Sequence, residues 1–563
     1  MKIDIFVLFL FYYISIFSIL GYGIFLQRLI NISENKRICL GYSGLIGIFF
    51  LTIYSYVSHL FYAHGIYHNL IILFVGLVLF YLSYIKRLFS KIEIKFLVIL
   101  FSIIFISFLI SKTHDDFPYY HFPYTYYLTQ NSSLIGIGSF NHGFRTPSSL
   151  FYFNSLFYLP IIKYYLFHIG SAIIFGSAVF IFFSNIRESI KKKKINYIYY
   201  FDLFSLIFIL IFFYRLSEHG TDRSAQILIF LILTEMLRVL ASKKITTHEI
   251  SILSILFSIT ISLKAFYFLY GLLLFPTLFI ILKNNKFKDF LKKIFFNKAF
   301  YFSILLIILV LITNFFNTGC LLYPISISCF MSFDWSIPLK ETELMALHYE
   351  NWSKAGMTPN FRIEDPSIYV KDFNWINGWF NRYFFNKVSD FLIGLIVLTL
   401  VFRFTFYSKK KKKIIFKKEI LLIYFTIGIL FVEWFINHPT LRYGGFSLIA
   451  ILFFLPSSLI IESYRQKLKL IKKGTFIIIL VGITIFTLRN VDRIIKENKK
   501  YNYNVFANPY LKVDNVMFFR IETKINDLIN NYNHCQSFDK ECENNNRYVV
   551  KKKFNKYIFT IKK

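Results

Sequence analysis

The sequence predicts an all-α protein, a polytopic bundle of transmembrane helices. Hydrophobic residues make up 56% of the 563-residue chain and aromatic residues 21%, with 72 Phe and 40 Tyr. The mean hydropathy is +0.54, far from the composition of soluble domains. Apolar runs of roughly 15 to 23 residues, long enough to cross the hydrocarbon core of a bilayer, recur from end to end. This composition favours a multi-pass membrane protein over a secreted or soluble one.

The apolar runs predict about fourteen membrane spans. The first run lacks a small-residue cleavage site and is too long for the core of a signal peptide, so we expect it to be retained as a span. The predicted spans are 3–25, 39–61, 66–85, 96–111, 165–184, 198–214, 225–240, 249–263, 265–282, 300–318, 389–407, 420–436, 444–461 and 475–489.

Basic residues are concentrated in every second loop between the predicted spans. The formal net charge of +33 could suggest nucleic acid as a partner, but the cations lie in every second loop, which is the positive-inside pattern of cytoplasmic loops. We therefore expect these loops to face the cytoplasm and to touch anionic membrane lipid, with no nucleic acid bound. The basic loops contain Lys86 and Arg87, Lys191 to Lys194, Lys243 and Lys244, Lys283 to Lys298, Lys409 to Lys413, and Arg465 to Lys473.

Placing the basic loops inside assigns a side to every other segment. The N-terminus and residues 112–164, 215–224, 319–388 and 437–443 then face the outside. We predict a membrane domain over 1–489 and an extracytoplasmic C-terminal tail over 490–563. The expected location is the inner (plasma) membrane of a bacterium, with the functional face toward the periplasm.

Two outer segments are long enough to contribute to function. Residues 112–164 are rich in aromatic residues and prolines, so we expect short interfacial helices there and no further span. Residues 319–388 contain four of the five tryptophans, which predict either an anchor in the headgroup zone or a platform for stacking sugar rings or lipid. These tryptophans are Trp335, Trp352, Trp375 and Trp379.

Four of the five cysteines form two close pairs in predicted outer segments. Cys320 and Cys329 share the second outer loop, and Cys535 and Cys542 share the tail. In an oxidising compartment such pairs predict disulfides, although a reduced pair stays open as the alternative. Neither pair has the further Cys or His residues that a zinc site needs.

An acidic pair stands at the start of the first outer segment. Asp115 and Asp116 lie just beyond the apolar run 96–111. Two adjacent carboxylates are costly to place beside hydrocarbon, so they indicate a chemical function. The structural alternative is that Asp115 caps the following helix and faces water.

Further charged and polar residues are predicted on the same face. Cations and carboxylates that converge on one membrane face suit an anionic lipid-linked substrate, because Arg or Lys can clamp a phosphate while a carboxylate handles a proton. The structural alternatives are a surface ion pair for Asp222 and Arg223 and a lysine that snorkels to the headgroups for Lys264. The candidate substrate-binding residues are His121, Arg145, Glu218, Asp222, Arg223, Lys264, His438 and Arg442.

Glycosyl transfer from a polyprenyl-linked donor would use these groups directly. The reaction breaks an anomeric C–O bond, and the departing phosphate is a weak base that leaves without protonation. One carboxylate can therefore act as base on the acceptor hydroxyl, while cations stabilise the charge that develops on the leaving group.

The acidic pair resembles the signature of the GT-C superfamily of membrane glycosyltransferases. Members carry a short acidic motif (DxD, ExD, DDx or DEx) in the first large outer loop, and Asp115-Asp116-Phe117 is similar to the DDx form. The segments after Lys264 and around Arg442 are similar to GT-C segments more weakly. The resemblance covers about residues 96–460. The three predicted spans before residue 96 are extra, because family members usually place this loop directly after their first span.

The resemblance implies a role for each matching position. Asp115 or Asp116 would be the catalytic base or a metal ligand, Lys264 and Arg442 would contact phosphate, and Glu218 or Asp222 would be supporting carboxylates. It implies a hexosyl- or pentosyltransferase that inverts the anomeric carbon and passes sugar to an envelope glycan, glycolipid or protein. Some relatives use Mg²⁺ or Mn²⁺ and others no metal, so the cofactor stays open.

Two other functions fit the same composition. An O-antigen-type polymerase or ligase also has many spans and a large outer loop, and relies chiefly on outer arginines and a histidine. A flippase or transporter of lipid-linked sugars would instead bury charges at the membrane midplane, between discontinuous helices. Most polar residues here fall at predicted loop edges, which favours the transferase.

Overall fold

The computed structural model confirms the all-α prediction over the residues that it describes. These are 4–30, 39–110, 115–218, 221–242, 245–283, 287–358, 360–412, 418–501, 505–506, 515–537, 548–553 and 555–561. Helices make up most of this part of the chain, and two small antiparallel hairpins are its only sheets.

Twenty-one α-helices are described. They are α1 (Ile5–Leu29), α2 (Leu40–His59), α3 (Ile66–Ile85), α4 (Lys91–Phe105), α5 (Phe122–Gln130), α6 (Ser149–Ser155), α7 (Ile169–Lys191), α8 (Tyr197–Phe212), α9 (Thr221–Ser242), α10 (Thr247–Leu263), α11 (Phe275–Lys283), α12 (Phe287–Phe295), α13 (Lys298–Thr318), α14 (Leu339–Ser353), α15 (Pro366–Val370), α16 (Trp375–Trp379), α17 (Ser389–Thr405), α18 (Lys418–Asn437), α19 (Gly445–Ser463), α20 (Leu468–Tyr501) and α21 (Asn515–Ser537).

Shorter elements connect these helices. The strands are β1 (Met357–Thr358) paired with β2 (Phe361–Arg362), and β3 (Tyr548–Lys553) paired with β4 (Lys556–Ile561). Two π-helical segments span Phe117–His121 and Phe380–Val388. The 3₁₀ segments are Ile106–Phe108, Ile137–Ser139, His142–Phe144, Leu216–Glu218, Ala265–Leu274, Ser326–Ser328 and Leu441–Tyr443.

Ten of the described helices are long and apolar enough to cross a membrane. They are α1, α2, α3, α7, α9, α13, the continuous stretch α16–α17, α18, α19 and α20. Three shorter apolar segments accompany them: Tyr197–Phe212, Thr247–Leu263 and Ala265–Phe279. By length and composition the chain is therefore a multi-pass membrane protein.

Local capping explains where several of these helices begin and end. Ser90 and Glu93 form a capping box at the start of α4, and Thr246 and Glu249 form another at the start of α10. Each box satisfies backbone N–H groups that the first helical turn leaves without a partner. At the other end of α13, Gly319 adopts a φ of 76°, the left-handed conformation that commonly ends a helix.

Two predicted cytoplasmic loops meet at one end of the bundle. The backbone N–H of Lys412 donates to the carbonyl of Ser463 at 2.8 Å, and that of Arg465 donates to the carbonyl of Lys410 at 2.9 Å. Lys410 and Lys412 follow α17, and Ser463 and Arg465 stand at the end of α19. These two basic loops therefore lie at the same end of the bundle.

Close backbone contacts join α1, α2 and α3. A Cβ atom added at Gly21 of α1 would overlap the carbonyl oxygen of Gly76 in α3, and one at Gly47 of α2 would overlap the carbonyl oxygen of Ile19 in α1. Small residues let transmembrane helices approach at this distance, where dispersion contacts between backbones replace the missing side chains. The first three helices of the chain thus form one tightly packed group.

The first outer segment folds as short helices, as the sequence predicts. The π-helical segment Phe117–His121, α5 and α6 occupy it with two 3₁₀ turns. The corner between α2 and α3 packs beneath it, because a ring nitrogen of His64 hydrogen-bonds the hydroxyl of Ser155 at 2.6 Å. The amide of Asn69 donates to the carbonyl of the same serine at 2.9 Å. These bonds fix the segment to the helices below.

Two tryptophans of the second outer segment, Trp375 and Trp379, fit neither role that the sequence predicts for them. Trp375 and Trp379 are only 1% and 2% exposed, so neither ring can lie among headgroups or stack on a sugar. Trp352 is 38% exposed, so either a headgroup anchor or a stacking platform fits this residue. The last part of this segment, predicted to be loop up to 388, is helical and continuous with α17. A disulfide joins Cys320 to Cys329.

The tail packs against the first outer segment. The boundary predicted at 490 falls inside α20, which runs on to Tyr501. Beyond it, α21 packs on α5, and the β3–β4 hairpin packs on the turn at 137–139. The tail therefore lies at the same end of the molecule as the acidic pair. Cys535 lies in α21, and Cys542 falls outside the described residues.

We predict that Gly21→Ala lowers the stability of the protein. Its Cβ would press on the backbone of α3, and overpacking of this kind costs about 1–3 kcal/mol. Thermal unfolding in detergent should show a lower midpoint. Gly428→Ala is the matched control, because a Cβ at that glycine of α18 meets nothing within 4 Å. An unchanged midpoint for Gly21→Ala would contradict the close packing.

We also predict that docking of the tail depends on pH. Burial raises the pKa of Glu522 in α21 to about 7 from its ordinary 4.5, although Asn526 and Asn131 lower it. A raised carboxyl pKa means that the docked form binds the proton more tightly, so docking should weaken as pH rises from about 4.5 to 7 and stay constant above. Hydrogen exchange of the α21 amides, corrected for intrinsic rates, should follow this curve. Glu522→Gln should flatten it, and an equally steep curve in that variant would contradict the assignment.

Candidate functional site

Four charged side chains from distant parts of the chain meet at one end of the bundle. Arg442 donates from Nη2 to Oδ2 of Asp116 and from Nε to Oδ2 of Asp222, each at 2.6 Å. Lys264 donates from Nζ to Oδ1 of Asp222, also at 2.6 Å. We call Asp116, Asp222, Lys264 and Arg442 the charge cluster. All four are residues that the sequence analysis selected, and Asp222 is the shared partner of Lys264 and Arg442.

Each member stands where a regular element begins or ends. Asp116 precedes the π-helical segment Phe117–His121, and Asp222 lies in the first turn of α9. Lys264 has an extended backbone between α10 and the 3₁₀ helix that follows, and Arg442 lies in the 3₁₀ turn between α18 and α19. A carboxylate at a helix N-terminus also interacts favourably with the helix dipole.

Burial divides the charge cluster into an inner and an outer part. The side chain of Asp222 is 3% exposed, whereas those of Asp116, Lys264 and Arg442 are 27%, 31% and 33% exposed. Two carboxylates balance two cations, and this pairing is what makes the burial of Asp222 tolerable. Lys264 and Arg442 therefore contact Asp222 while about a third of each side chain stays exposed.

Gln226 fixes the turn that carries Arg442. Its amide nitrogen donates to the carbonyls of Leu441 and Arg442 at 3.3 and 2.9 Å, and its oxygen accepts from the backbone N–H of Ser447 at 3.0 Å. Gln226 lies four residues after Asp222 on α9, so both side chains share one helix face. One face of α9 thus holds the arginine by its side chain and by its backbone.

Two buried tryptophans hold the residues just before that turn. The indole N–H of Trp379 donates to the carbonyl of Pro439 at 2.7 Å, and that of Trp434 donates to the carbonyl of Thr440 at 2.9 Å. Gly444 closes the turn with a φ of 94°, and a Cβ there would overlap the hydroxyl of Tyr270. The burial of Trp379 therefore serves the site by positioning its backbone.

Tyrosines surround the charge cluster. The hydroxyl of Tyr120 donates to Asp116 at 3.4 Å, and that of Tyr267 donates to the backbone carbonyl of Asp222 at 3.2 Å. Lys264 lies 4.7 Å from the centre of the Tyr443 ring, a cation–π distance. The wall around the cations is therefore aromatic and rich in hydroxyl groups.

The electrostatics favour a charged Arg442 and a neutral His438. Burial would lower the pKa of Arg442, but Asp222, Tyr120, Tyr443 and Asp116 raise it well above its usual value. Burial lowers the pKa of His438 despite nearby carboxylates, so this imidazole is neutral at pH 7. A neutral histidine can donate and accept hydrogen bonds at once.

Asp115 differs from its neighbour. It is exposed to solvent, and with the described residues its side chain makes no hydrogen bond or ion pair. Asp116 is occupied by Arg442 and Tyr120. The two members of the acidic pair therefore have different surroundings, which the sequence alone does not distinguish.

Arg145 lies outside the charge cluster. Its guanidinium hydrogen-bonds the carboxylate of Glu341 and the hydroxyl of Tyr323, and Nε donates to the carbonyl of Gly138 at 3.1 Å. Glu341 belongs to α14 in the second outer segment. The structure thus makes Arg145 a bridge between the two outer segments, whereas the sequence predicts a substrate contact.

The remaining predicted residues flank the charge cluster. His121 is buried, with its ring centre 4.4 Å from that of Tyr120 and 5.1 Å from that of Phe151. Arg223 is half-buried in the first turn of α9, next to Asp222. Glu218 lies in the 3₁₀ turn just before α9, and its side chain falls outside the description.

A second ionic group lies near the other end of α9. Arg238 contacts Glu235 at 2.7 Å and Asp202 of α8 at 3.2 Å, and Asp202 also accepts from the hydroxyl of Thr234 at 2.8 Å. These carboxylates are buried. The group joins α8 to α9 and was not among the sequence candidates, although a charged residue inside an apolar run is a signal that could have identified it.

The described residues offer no ready metal centre. Within them, no group of three or more His, Cys, Asp or Glu side chains is placed to hold an ion. Asp115 and Asp116 supply two neighbouring carboxylates, and the second is paired with Arg442.

We predict that Gln226→Leu destabilises the protein and displaces Arg442. The substitution leaves two carbonyls and one N–H without their partner, and each such loss costs about 1–3 kcal/mol when the group is buried. Thermal unfolding should report the loss. Ser258→Ala is the control, since the Ser258 hydroxyl bonds only the carbonyl of Ile255 in its own helix. Equal midpoints in the two variants would contradict a special role for Gln226.

Comparison with known proteins places the chain in a family without assigning it an activity. Neither a search of the curated proteins nor one of the solved structures finds a match. A protein-family model described as "Domain of unknown function (DUF8201)" matches residues 5–449. That region contains every member of the charge cluster and ends near the start of α19, before the tail. Since the match covers more than half of the chain, the protein belongs to the DUF8201 family.

Proposed function

We propose that the protein is a membrane glycosyltransferase of GT-C type. It would transfer one sugar from a polyprenyl-phosphate-linked donor to an envelope glycan, glycolipid or protein acceptor. The reaction would take place at the extracytoplasmic face of a bacterial inner membrane.

The observation that carries this proposal is the charge cluster with its exposed side. Arg442 and Lys264 are each about a third exposed and lie on one buried carboxylate, Asp222. Charge-assisted hydrogen bonds to phosphate are among the strong ones, and arginine suits the geometry of phosphate oxygens. The cations are held in place before a substrate arrives, so little reorganisation is needed when charge develops on a leaving phosphate.

Asp115 is the better candidate for the catalytic base. Asp116 is paired with Arg442 at 2.6 Å, and a neighbouring cation lowers the proton affinity of a carboxylate. Asp115 is exposed and one residue away. In the proposed step it takes the proton of the acceptor hydroxyl, whose oxygen forms the new bond to the anomeric carbon. The donor C–O bond breaks, and its electron pair leaves with the phosphate toward Arg442 and Lys264.

Asp116 and Asp222 then have a positioning role. Their carboxylates accept hydrogen bonds from Nη2 and Nε of Arg442. These two bonds fix the orientation of the guanidinium. His438 and Arg223 lie beside the charge cluster in sequence and would contact the sugar or the phosphate. His121 would support them from the buried side.

The membrane arrangement proposed here has about fourteen crossings. Ten candidate spans are supplemented by the three shorter apolar segments, which are α8, α10 and Ala265–Phe279, and by the 15-residue helix α4. With fourteen crossings, every basic loop would lie on the cytoplasmic side. The charge cluster and the tail would lie together on the outside.

Two alternatives have a specific observation in their favour. Arg442 is the centre of the cluster, with His438 nearby, which suits an O-antigen-type polymerase or ligase. The break between α10 and the following 3₁₀ helix at Lys264 resembles the discontinuous helices of a lipid-linked-sugar flippase or transporter. The position of that break beside the outer turns, together with Asp115, favours the transferase.

We predict that Asp115→Asn nearly abolishes sugar transfer. Loss of a general base typically costs about 10² to 10⁴ in rate. The assay measures labelled sugar passed from polyprenyl-linked donor to acceptor by membranes or purified protein. Asp116→Asn should also lower the rate, but with lower stability because Arg442 loses a partner. Asp365→Asn, at the start of α15 in the second outer segment, is a control that should leave transfer unchanged.

The alternatives give different results in the same assay. Full activity in both Asp115→Asn and Asp116→Asn, combined with loss in Arg442→Lys and His438→Ala, would contradict this proposal and favour the polymerase or ligase. Movement of the lipid-linked sugar across sealed vesicles without chemical conversion would favour the transporter.

A further inference from the structure

We infer that the C-terminal tail positions the acidic pair. Helix α21 and the β3–β4 hairpin hold the stretch that runs from Asp116 to Phe140, which we call the acidic segment. Through Phe117 they fix where Asp116 meets Arg442. The effect on rate rests on the proposed function, whereas the effect on structure does not.

Phe117 links the tail to Asp116 most directly. Its ring is 3% exposed and has aromatic neighbours from three places. The ring centre of His168 lies 4.4 Å away, that of Phe122 5.8 Å, and that of Phe518 in α21 6.2 Å. Phe117 directly follows Asp116, and consecutive Cα atoms are about 3.8 Å apart. A displacement of the Phe117 backbone would therefore displace Asp116 as well.

Two adjacent tail residues fill the space against the acidic segment. The ring centres of Phe518 and Phe519 lie 5.0 and 5.4 Å from that of Phe122, and Phe519 lies 4.8 Å from Tyr126. Phe122 is fully buried and Phe518 is 5% exposed. Packed aromatic pairs of this kind contribute beyond the area that they bury. The N-terminal turn of α5 is therefore in contact with α21 as well as with the bundle.

The tail also forms hydrogen bonds with the part of the acidic segment that follows α5. The amide of Asn131 donates to Glu522 at 2.9 Å. In the hairpin, the N–H of Ile135 donates to the carbonyl of Tyr557 at 3.1 Å, and the N–H of Phe559 donates to the carbonyl of Ile135 at 2.9 Å. The hairpin thus adds one short parallel bridge to the acidic segment.

Gly136 shows how close this contact is. It has a φ of 81°, and a Cβ atom there would overlap the carbonyl oxygen of Phe559. Two residues on, the carbonyl of Gly138 accepts from Arg145 at 3.1 Å. The hairpin therefore supports the same turn that anchors the bridge between the two outer segments.

Small displacements at this place matter because the ion pairs are short. Arg442 contacts Asp116 at 2.6 Å, and a misplacement of about 1 Å in a catalytic constellation can cost about 10²-fold in rate. A tail that only added stability would change the melting point and leave the acidic segment and the turnover of folded protein as they are. A positioning tail predicts a change in both.

The experiment compares full-length Phe518→Ala with the wild-type protein. We expect faster hydrogen exchange of the backbone amides of 117–126, and a kcat that is lower by roughly tenfold to hundredfold at nearly unchanged KM for the polyprenyl-linked donor. Phe518→Leu, which keeps most of the apolar volume, should restore most of both. Thr523→Ala is the matched control in the same helix, because the Thr523 side chain is exposed and its hydroxyl bonds only the carbonyl of Phe519 in α21. It should change neither quantity.

Each outcome of this experiment supports or contradicts the positioning role of the tail. Unchanged exchange and unchanged kcat in folded Phe518→Ala would overturn the inference. If that variant does not fold, Phe518→Leu becomes the test, with a smaller rise in exchange and a smaller fall in kcat expected, and no change in either overturning it. If the wild-type protein transfers no sugar but exchange in 117–126 still rises in Phe518→Ala, the positioning role holds and the proposed function fails.

Discussion

The buried carboxylate of Asp222 holds two cations, Lys264 and Arg442, and the arrangement of the outer face depends on this interaction. It joins the first turn of α9 to the end of α10 and to the turn between α18 and α19. A nearly inaccessible carboxylate is tolerable only while both partners stay in place. The same constraint keeps two cations at the surface of an otherwise apolar bundle, and Asp116 connects the first outer segment to them.

The surroundings of the charge cluster are built to keep it rigid. Gln226 and two buried tryptophans bond backbone groups of the turn around Arg442. The backbone of Arg442 is therefore held in place, as its guanidinium is by Asp116 and Asp222. From the opposite side, Asp116 is held by a segment that packs on the α2–α3 corner below and on the tail above. A preorganised pair of cations beside an exposed carboxylate is the arrangement that phosphate-leaving chemistry requires.

The location of the charge cluster at one end of the bundle could be predicted from the sequence, because the alternation of basic loops assigns a side to each loop. Once the basic loops are placed together, Asp116, Lys264 and Arg442 must share the opposite end. Their pairing was not predictable, since Asp116 and Arg442 are 326 residues apart. The separate surroundings of Asp115 and Asp116, and the bridging role of Arg145, depend on the same long-range packing.

Other features lacked a local signal. Gln226 is a single amide in an apolar run, and only the i, i+4 relation to Asp222 hints at its role. Tryptophan composition suggested an exposed role for Trp375 and Trp379, whereas tertiary packing buried both. No sequence motif of the tail predicted α5 as its partner, and the contacts of Phe518 and Phe519 with α5 emerge only in three dimensions.

The most direct test is an experimental structure of the protein in lipid with a polyprenyl phosphate bound. The account predicts the phosphate within hydrogen-bond distance of Arg442 and Lys264, with Asp115 facing the open side and Asp222 beneath both cations. A phosphate bound elsewhere, such as at Arg145 or Arg238, or a charge cluster that faces the cytoplasm, would contradict it.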